Sequence, residues 1–285
     1  MSKKNKSEGI YVPKSIIYTI KILETLSSRV ATRFAAKLFA TPIRYKIPKR
    51  EFAMLNNSKH SVEFIKKINK EVIVYNYGES NKKVLLIHGW SGRGTQLVKI
   101  ADSLLQNGYS TISFDAPGHG KSKGSTTLMT EFIASILEIE KSHGPFEYAI
   151  GHSLGGMALL NSIKQNLSIK KAIIIGSGDI IKDILDEFVS KLKMKPKMST
   201  NLQNHFEKKF GEPMNNYSGY VAAKSIKIPV LVIHDEDDKD VPLKAANNIY
   251  NHLENGEIYV TKGLEHRKIL GDEKVISKII EFINQ

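Results

Sequence analysis

The stretch "YAIGHSLGGMAL", Tyr148–Leu159, places one serine between glycines, with an apolar run on either side. The pattern Gly151-x-Ser153-x-Gly155 is weak alone, because a Gly-rich turn with a helix-capping serine reads the same way. Its setting is more informative. "FEYAI" before it has the apolar character of a buried strand, and "LGGMALLNSIKQ" after it reads as a helix. A serine on so sharp a strand-to-helix turn projects its hydroxyl at the top of a sheet. Side chains at Gly151 and Gly155 would clash across the turn, and the helix start offers N–H groups to developing negative charge.

The same strand type recurs along the chain. "SVEFIKKI" and "EVIVYNYG" read as two strands with a turn at Asn69-Lys70. "KKVLLIHG", "STISFDAPG", "KKAIIIGSG", "IPVLVIHD" and "GEIYVTKG" repeat the short apolar run of buried parallel strands. Helical stretches near 95–106, 129–142, 154–166, 244–253 and 273–284 lie between them. The alternation predicts an α/β fold, a mostly parallel sheet flanked by helices on both faces. The gap 179–227 exceeds a simple crossover. "DIIKDILDEFVSKLKMKPKMS" is helical until Pro196, so the gap reads as a helical insertion, expected as a cap over the strand ends where such sheets bind ligands. The implied organisation is a basic N-terminal extension, 1–60, a core in two parts, 61–178 and 228–285, and the cap, 179–227.

A serine nucleophile needs a base, and the base an orienting acid. After "IPVLVIH" come Asp235, Asp237, Asp238 and Asp240, of which one faces an imidazole and the others are solvated. After "GEIYVTKG" comes "LEHRKIL", where His266 is the only histidine. Ser, Asp, His is the chain order this architecture uses. Asp179, after the preceding strand, is a remote alternative acid. An oxyanion needs two N–H donors: Leu154, directly after the serine, and Trp90, after the strand end His88-Gly89. Trp90 is the only tryptophan, and core packing is the alternative role of its side chain.

"HGW", "DAPGHGKS", "GHSLGG", "PVLVIHDEDDKDVP" and "GLEHRKIL" together resemble, in order, the motifs of the α/β-hydrolase superfamily, cap-bearing esterase/lipase type. The resemblance covers residues 84–270 and implies Asp238 as the triad acid. Family members usually carry Gly where this chain has Asp235. It also implies a serine esterase acting on a small-molecule ester, with thioesterase and monoacylglycerol lipase-like activities as alternatives. Branches with an aspartate nucleophile do not match. "DAPGHGKS" mimics a phosphate loop, but Asp115 stands where that loop needs Gly; His119 is expected to organise the loop instead. No cofactor is implied, and the histidines lack paired metal-ligand spacing. Phe188, Leu192, Met194, Met198, Leu202, Phe206, Phe210 and Tyr217 make the insertion apolar, which suits an apolar acyl group.

Of the formal net charge of +13, +10 falls in residues 1–50. The excess belongs to one segment and comes with no groove-reading or stacking motif, so nucleic acid is not an expected partner. "MSKKNKSEG" reads as loose. From Lys14, the residues Ile16, Ile20, Leu23, Val30, Phe34 and Leu38 follow helical spacing, with Ser27 as the weak point. Charges interrupt any run long enough for a span, and the segment lacks signal-peptide form. The chain has no cysteine, which fits a reducing compartment, and a cytoplasmic location is expected. The helix either packs on the domain or rests weakly on a membrane surface. In the latter case a binding protein with a vestigial site is a further alternative.

Overall fold

The computed structural model describes residues 12–285. The loose start expected at residues 1–9 lies outside them. Two compact units are present, and each is built from discontinuous chain.

The larger unit comprises residues 40–180 and 215–285. Its eight strands are β1 Lys59–Ile65, β2 Lys70–Tyr77, β3 Lys83–Ile87, β4 Ser110–Asp115, β5 Tyr148–His152, β6 Lys171–Ile175, β7 Val230–Asp235 and β8 Gly256–Thr261. They form one sheet in the order β1-β2-β4-β3-β5-β6-β7-β8. β1 and β2 pair antiparallel, as do β2 and β4, and all other pairs are parallel. The first strand starts earlier than its pattern predicts and stops at Ile65. Lys66–Ile68 instead form a 3₁₀ turn ending at Asn69, which adopts a left-handed conformation.

The parallel strands are apolar because both faces are covered. Phe132, Ile136, Leu159 and Leu160, from the helices Met129–His143 and Leu154–Lys164, pack with Leu85, Ile112 and Ile174 on one face. Ile100 and Leu104, from Val98–Gln106, and Ile279 and Phe282, from Glu273–Asn284, pack with Leu86, Ile150 and Ile233 on the other. The connection from β3 leads to β4 on one side, and the connection from β4 crosses to β5 on the other side of β3. The crevice beyond the carboxyl end of β3 is therefore the topological switch point of the sheet, where open α/β sheets bind ligands.

The smaller unit joins the described residues up to Phe39 with Ile181–Met214. Its first segment is two helices rather than one, α1 Lys14–Leu26 and α2 Ser28–Phe39. Ser27 is extended, yet its N–H still donates to Leu23 O and its carbonyl accepts from Ala31. The Ser27 Oγ also accepts the Val30 N–H at 3.4 Å. The break shifts the helical phase, so Ile20 is buried while Val30, expected on the same face, is exposed. In the insertion the helices Ile181–Lys191 and Lys197–Phe210 flank the break at Pro196. The Phe39 ring lies 5.1 Å from Phe188 and 5.7 Å from Phe206. Leu192, Met194, Met198, Leu202 and Phe206 are buried, whereas Phe210 is 40% exposed.

Candidate active site

Ser153 follows β5 directly and precedes the helix Leu154–Lys164, with φ 54° and ψ −121°. A non-glycine residue there carries strain of order 1–3 kcal/mol. Close packing enforces the turn. A Cβ on Gly151 would stand 2.5 Å from Gly155 O, and one on Gly155 would stand 2.5 Å from Ile87 O and 2.6 Å from His88 O. The Ser153 N–H donates to Ile175 O at 2.9 Å, fixing the turn to the end of β6. Leu154 is the first residue of its helix, where N–H groups have no acceptor within the helix.

His266 and Asp238 approach from β8 and β7. His266 Nδ1 lies 2.6 Å from Asp238 Oδ2, and both residues are buried. Asp238 Oδ1 accepts the N–H groups of Asp240 at 2.8 Å and Val241 at 2.9 Å. Burial pushes the Asp238 carboxyl up, but the His266 hydrogen bond and charge and the two backbone donors outweigh it and hold it below its ordinary value. With Nδ1–H given to the carboxylate, the imidazole keeps its other nitrogen for a partner.

Two neighbours bring this pair to the Ser153 turn. His152 donates from Nε2 to His266 O at 2.9 Å, with ring centroids 4.7 Å apart. Gly176, after β6 and at φ +55°, passes so close that a Cβ would stand 3.2 Å from His266 Nδ1 and 3.5 Å from Asp238 Oδ2. The serine, histidine and aspartate thus gather at the carboxyl ends of β5 to β8. Asp179 is engaged elsewhere, its Oδ1 accepting the Tyr220 N–H at 2.7 Å.

The loop after β3 borders the turn. A Cβ on Gly89 would meet Ser153 Cβ at 2.9 Å, so the backbone leading into Trp90 runs against the serine. The Ser91 N–H donates to His119 Nε2 at 3.0 Å, and the Trp90 ring packs edge-on against the His119 ring at 5.2 Å. His119 therefore organises this loop. His88 likewise accepts the Ala116 N–H on Nε2 at 3.0 Å and donates from Nδ1 to Gly89 O at 2.7 Å. Burial lowers His88 to about 4 and His119 to about 3, so both stay neutral and keep the lone pair these bonds use. Asp115 takes the place a phosphate loop gives to glycine. It accepts from the Gly94 and Lys121 N–H groups at 2.7 and 2.6 Å and from the Tyr75 hydroxyl at 2.8 Å.

Asp235 is the residue whose part sequence reasoning missed. Its Oδ1 accepts the N–H groups of Asp237 at 3.1 Å and Glu265 at 2.9 Å. Its Oδ2 accepts the Leu264 N–H at 3.0 Å and the Thr261 hydroxyl at 2.8 Å. Glu265, directly before His266, has φ 57°. Asp235 and His152 thus hold the main chain on either side of the imidazole. The available signal was a carboxylate in place of the family's usual glycine. Asp237 accepts the Gly263 N–H at 3.1 Å, and Asp240 lies 3.9 Å from Arg267. Among the described residues no three His, Asp or Glu side chains group as a metal site would require.

Residues 84–196 match the model of the "Alpha/beta hydrolase family". No curated protein matches the sequence. Among solved structures, the esterase Pf2001 from Pyrococcus furiosus superposes with a TM-score of 0.67 at 22% identity, over 86% of this chain and 98% of that one. An esterase from Exiguobacterium antarcticum gives 0.62 at 18%, over 80% and 100%. A bromoperoxidase from Bacillus anthracis gives 0.61 at 17%, over 79% and 99%. The chain thus shares the fold of these α/β hydrolases, and residues 84–196 are similar in sequence to that family.

Proposed function

We propose that the protein is a serine hydrolase that cleaves carboxylic esters through an acyl-enzyme. The observation that carries this reading is the His266–Asp238 hydrogen bond of 2.6 Å beside a serine held at positive φ. Ser153 Oγ attacks the acyl carbon while His266 takes its proton, then returns it to the leaving alcohol. Asp238 fixes the imidazole tautomer and stabilises the imidazolium. The N–H groups of Trp90 and Leu154 bind the oxyanion. Water then attacks the acyl-enzyme, with His266 as base, and releases the acid. The residues supply the nucleophile, base and acid that this chemistry needs. The small-molecule ester is proposed to carry an apolar acyl group, since esterases are among the structural neighbours and the insertion is rich in apolar side chains.

A fluorophosphonate probe should label the wild-type protein and not Ser153→Ala. Hydrolysis should fall in that variant to the residue left by oxyanion and binding effects, on the order of 10³–10⁴ above water. Retention of a large share of wild-type turnover would remove Ser153 from the role of nucleophile. A series of esters and thioesters of graded acyl length identifies the substrate class. Thioesters turning over well ahead of all esters would replace the ester reading with a thioesterase.

A further inference from the structure

The N-terminal helices carry an apolar surface that their own unit does not use. On α1 the inward side is Ile20, fully buried, with Ile16, Ile17 and Leu23 half-buried. On the other side Tyr18, Ile22 and Leu26 are 64%, 60% and 76% exposed. Their spacing of four residues places them in one row along the helix. In globular proteins a helix normally shows water a polar face, so a second apolar row requires an explanation.

The charges around that row are of one sign. Lys14 and Lys21 fall on the same side of α1, and on α2 Arg29 and Arg33 are exposed together with Val30. The only carboxylate on either helix, Glu24, is turned to the inward side, where Oε1 accepts the Lys195 N–H at 3.1 Å. An exposed row of Tyr, Ile and Leu flanked by cations is the composition of a helix that lies in a membrane interface. There the apolar groups enter the acyl boundary and the cations meet anionic headgroups. Tyr18 suits that position, because its ring is apolar and its hydroxyl stays in water.

We propose that the outward face of α1 and α2 docks this protein onto an anionic lipid bilayer. A second copy of the chain is the poorer occupant. Two-fold pairing of this face would set Lys14, Lys21, Arg29 and Arg33 against their own copies with no carboxylate between them, and juxtaposed like charges oppose association. No helix of the described residues is long and apolar enough to cross a membrane, so the contact is made in the plane of the interface. It requires no chemistry at Ser153.

The test uses the full-length chain and sedimentation with phosphatidylcholine vesicles, with and without phosphatidylserine. The protein should sediment with the anionic vesicles and not with the neutral ones. Raising salt from about 0.1 to 1 M, which shortens the screening length from about 10 to 3 Å, should release it. Lys14→Glu and Lys21→Glu should each weaken binding by at least about fivefold, the effect of one juxtamembrane cation. Ile22→Asp with Leu26→Asp should abolish binding while leaving the melting temperature unchanged, because both side chains are already in water. Ser153→Ala should bind as wild type. Failure to bind anionic vesicles would overturn the proposal, as would equal binding to neutral ones. So would binding that Ile22→Asp/Leu26→Asp leaves intact, or a dimer that this double variant dissociates in the absence of lipid.

Discussion

Asp238 and His266 lie 28 residues apart in the chain and share a hydrogen bond of 2.6 Å, with Asp238 Oδ1 held in turn by two backbone N–H groups. The aspartate can therefore fix the imidazole without moving. Asp238→Asn should lower turnover by about 10⁴, because an amide presents its own N–H where the carboxylate accepted one and favours the wrong tautomer. Asp240→Asn should cost less than about tenfold, since the Asp240 side chain lies toward Arg267 at 3.9 Å. Turnover of the two variants on one ester decides it. A large loss at Asp240 with Asp238 unaffected would move the acid by two residues.

Asp235 supports the same imidazole from behind. Replacing it by the family's usual glycine leaves the Leu264 and Glu265 N–H groups without their carboxylate acceptor. Hydrogen bonds to charged groups contribute about 1.5–3 kcal/mol each, partly recovered if water enters. Asp235→Gly should therefore lower the melting temperature and reduce kcat about tenfold or more, with KM little changed because binding groups are untouched. Asp235→Asn should recover part of the loss through its remaining acceptor oxygen. An unchanged kcat in Asp235→Gly would show that His266 is held without it.

These two aspartates mark what the sequence reveals and what it conceals. The placement of Ser153 on a strand-to-helix turn was legible because strand, turn and helix are local, and periodicity reports local structure. The pairing of His266 with the acidic run was legible because it is the only histidine after the last strand. The role of Asp235 was concealed because three of its four donors lie 26 to 30 residues further along the chain. From sequence alone it was one of four aspartates in a polar run. The break at Ser27 was marked only by a weak residue, and its consequence, the turning of Val30 to the outside, depends on a phase that a continuous helix would not have. The insertion read as helical from its pattern, but its union with α1 and α2 into one unit rests on pairings such as Phe39 with Phe188, which no local pattern carries.

Buried neutral histidines predict sensitivity to mild acid. Burial lowers His152 to about 3, as it lowers His88 to about 4 and His119 to about 3. In the unfolded chain the same groups titrate near 6.5. Below that value the unfolded state binds protons that the folded state refuses, so stability falls as pH drops. Each histidine contributes a slope of about 1.4 kcal/mol per pH unit well inside this window. The depressed carboxyls of Asp235 and Asp238 act separately. Their contribution is complete above about 4 and is lost only as pH falls through their lower folded values. The urea midpoint should therefore fall steadily from pH 6.5 to 4.5. A flat midpoint across that range would contradict neutral burial of these three rings.

Two glycines separate folding from catalysis. A methyl on Gly155 would stand 2.5 Å from Ile87 O and 2.6 Å from His88 O, backbone atoms at the end of β3 and directly after it that cannot turn aside. Gly155→Ala should fail to reach the native state, or melt far below wild type. At Gly176 the nearest atoms are 3.2 Å and 3.3 Å away and belong to the His266 ring. An alanine there also adopts φ +55°, which costs of order 1–2 kcal/mol. Gly176→Ala should therefore fold, melt a few degrees lower and displace the imidazole by a few tenths of an ångström. Misplacement of a catalytic group by about 1 Å costs about 10²-fold, so kcat should fall between several-fold and that limit. Circular dichroism with heating separates the two variants, and ester turnover measures the second. Wild-type turnover in Gly176→Ala would mean that the imidazole is not seated against this glycine.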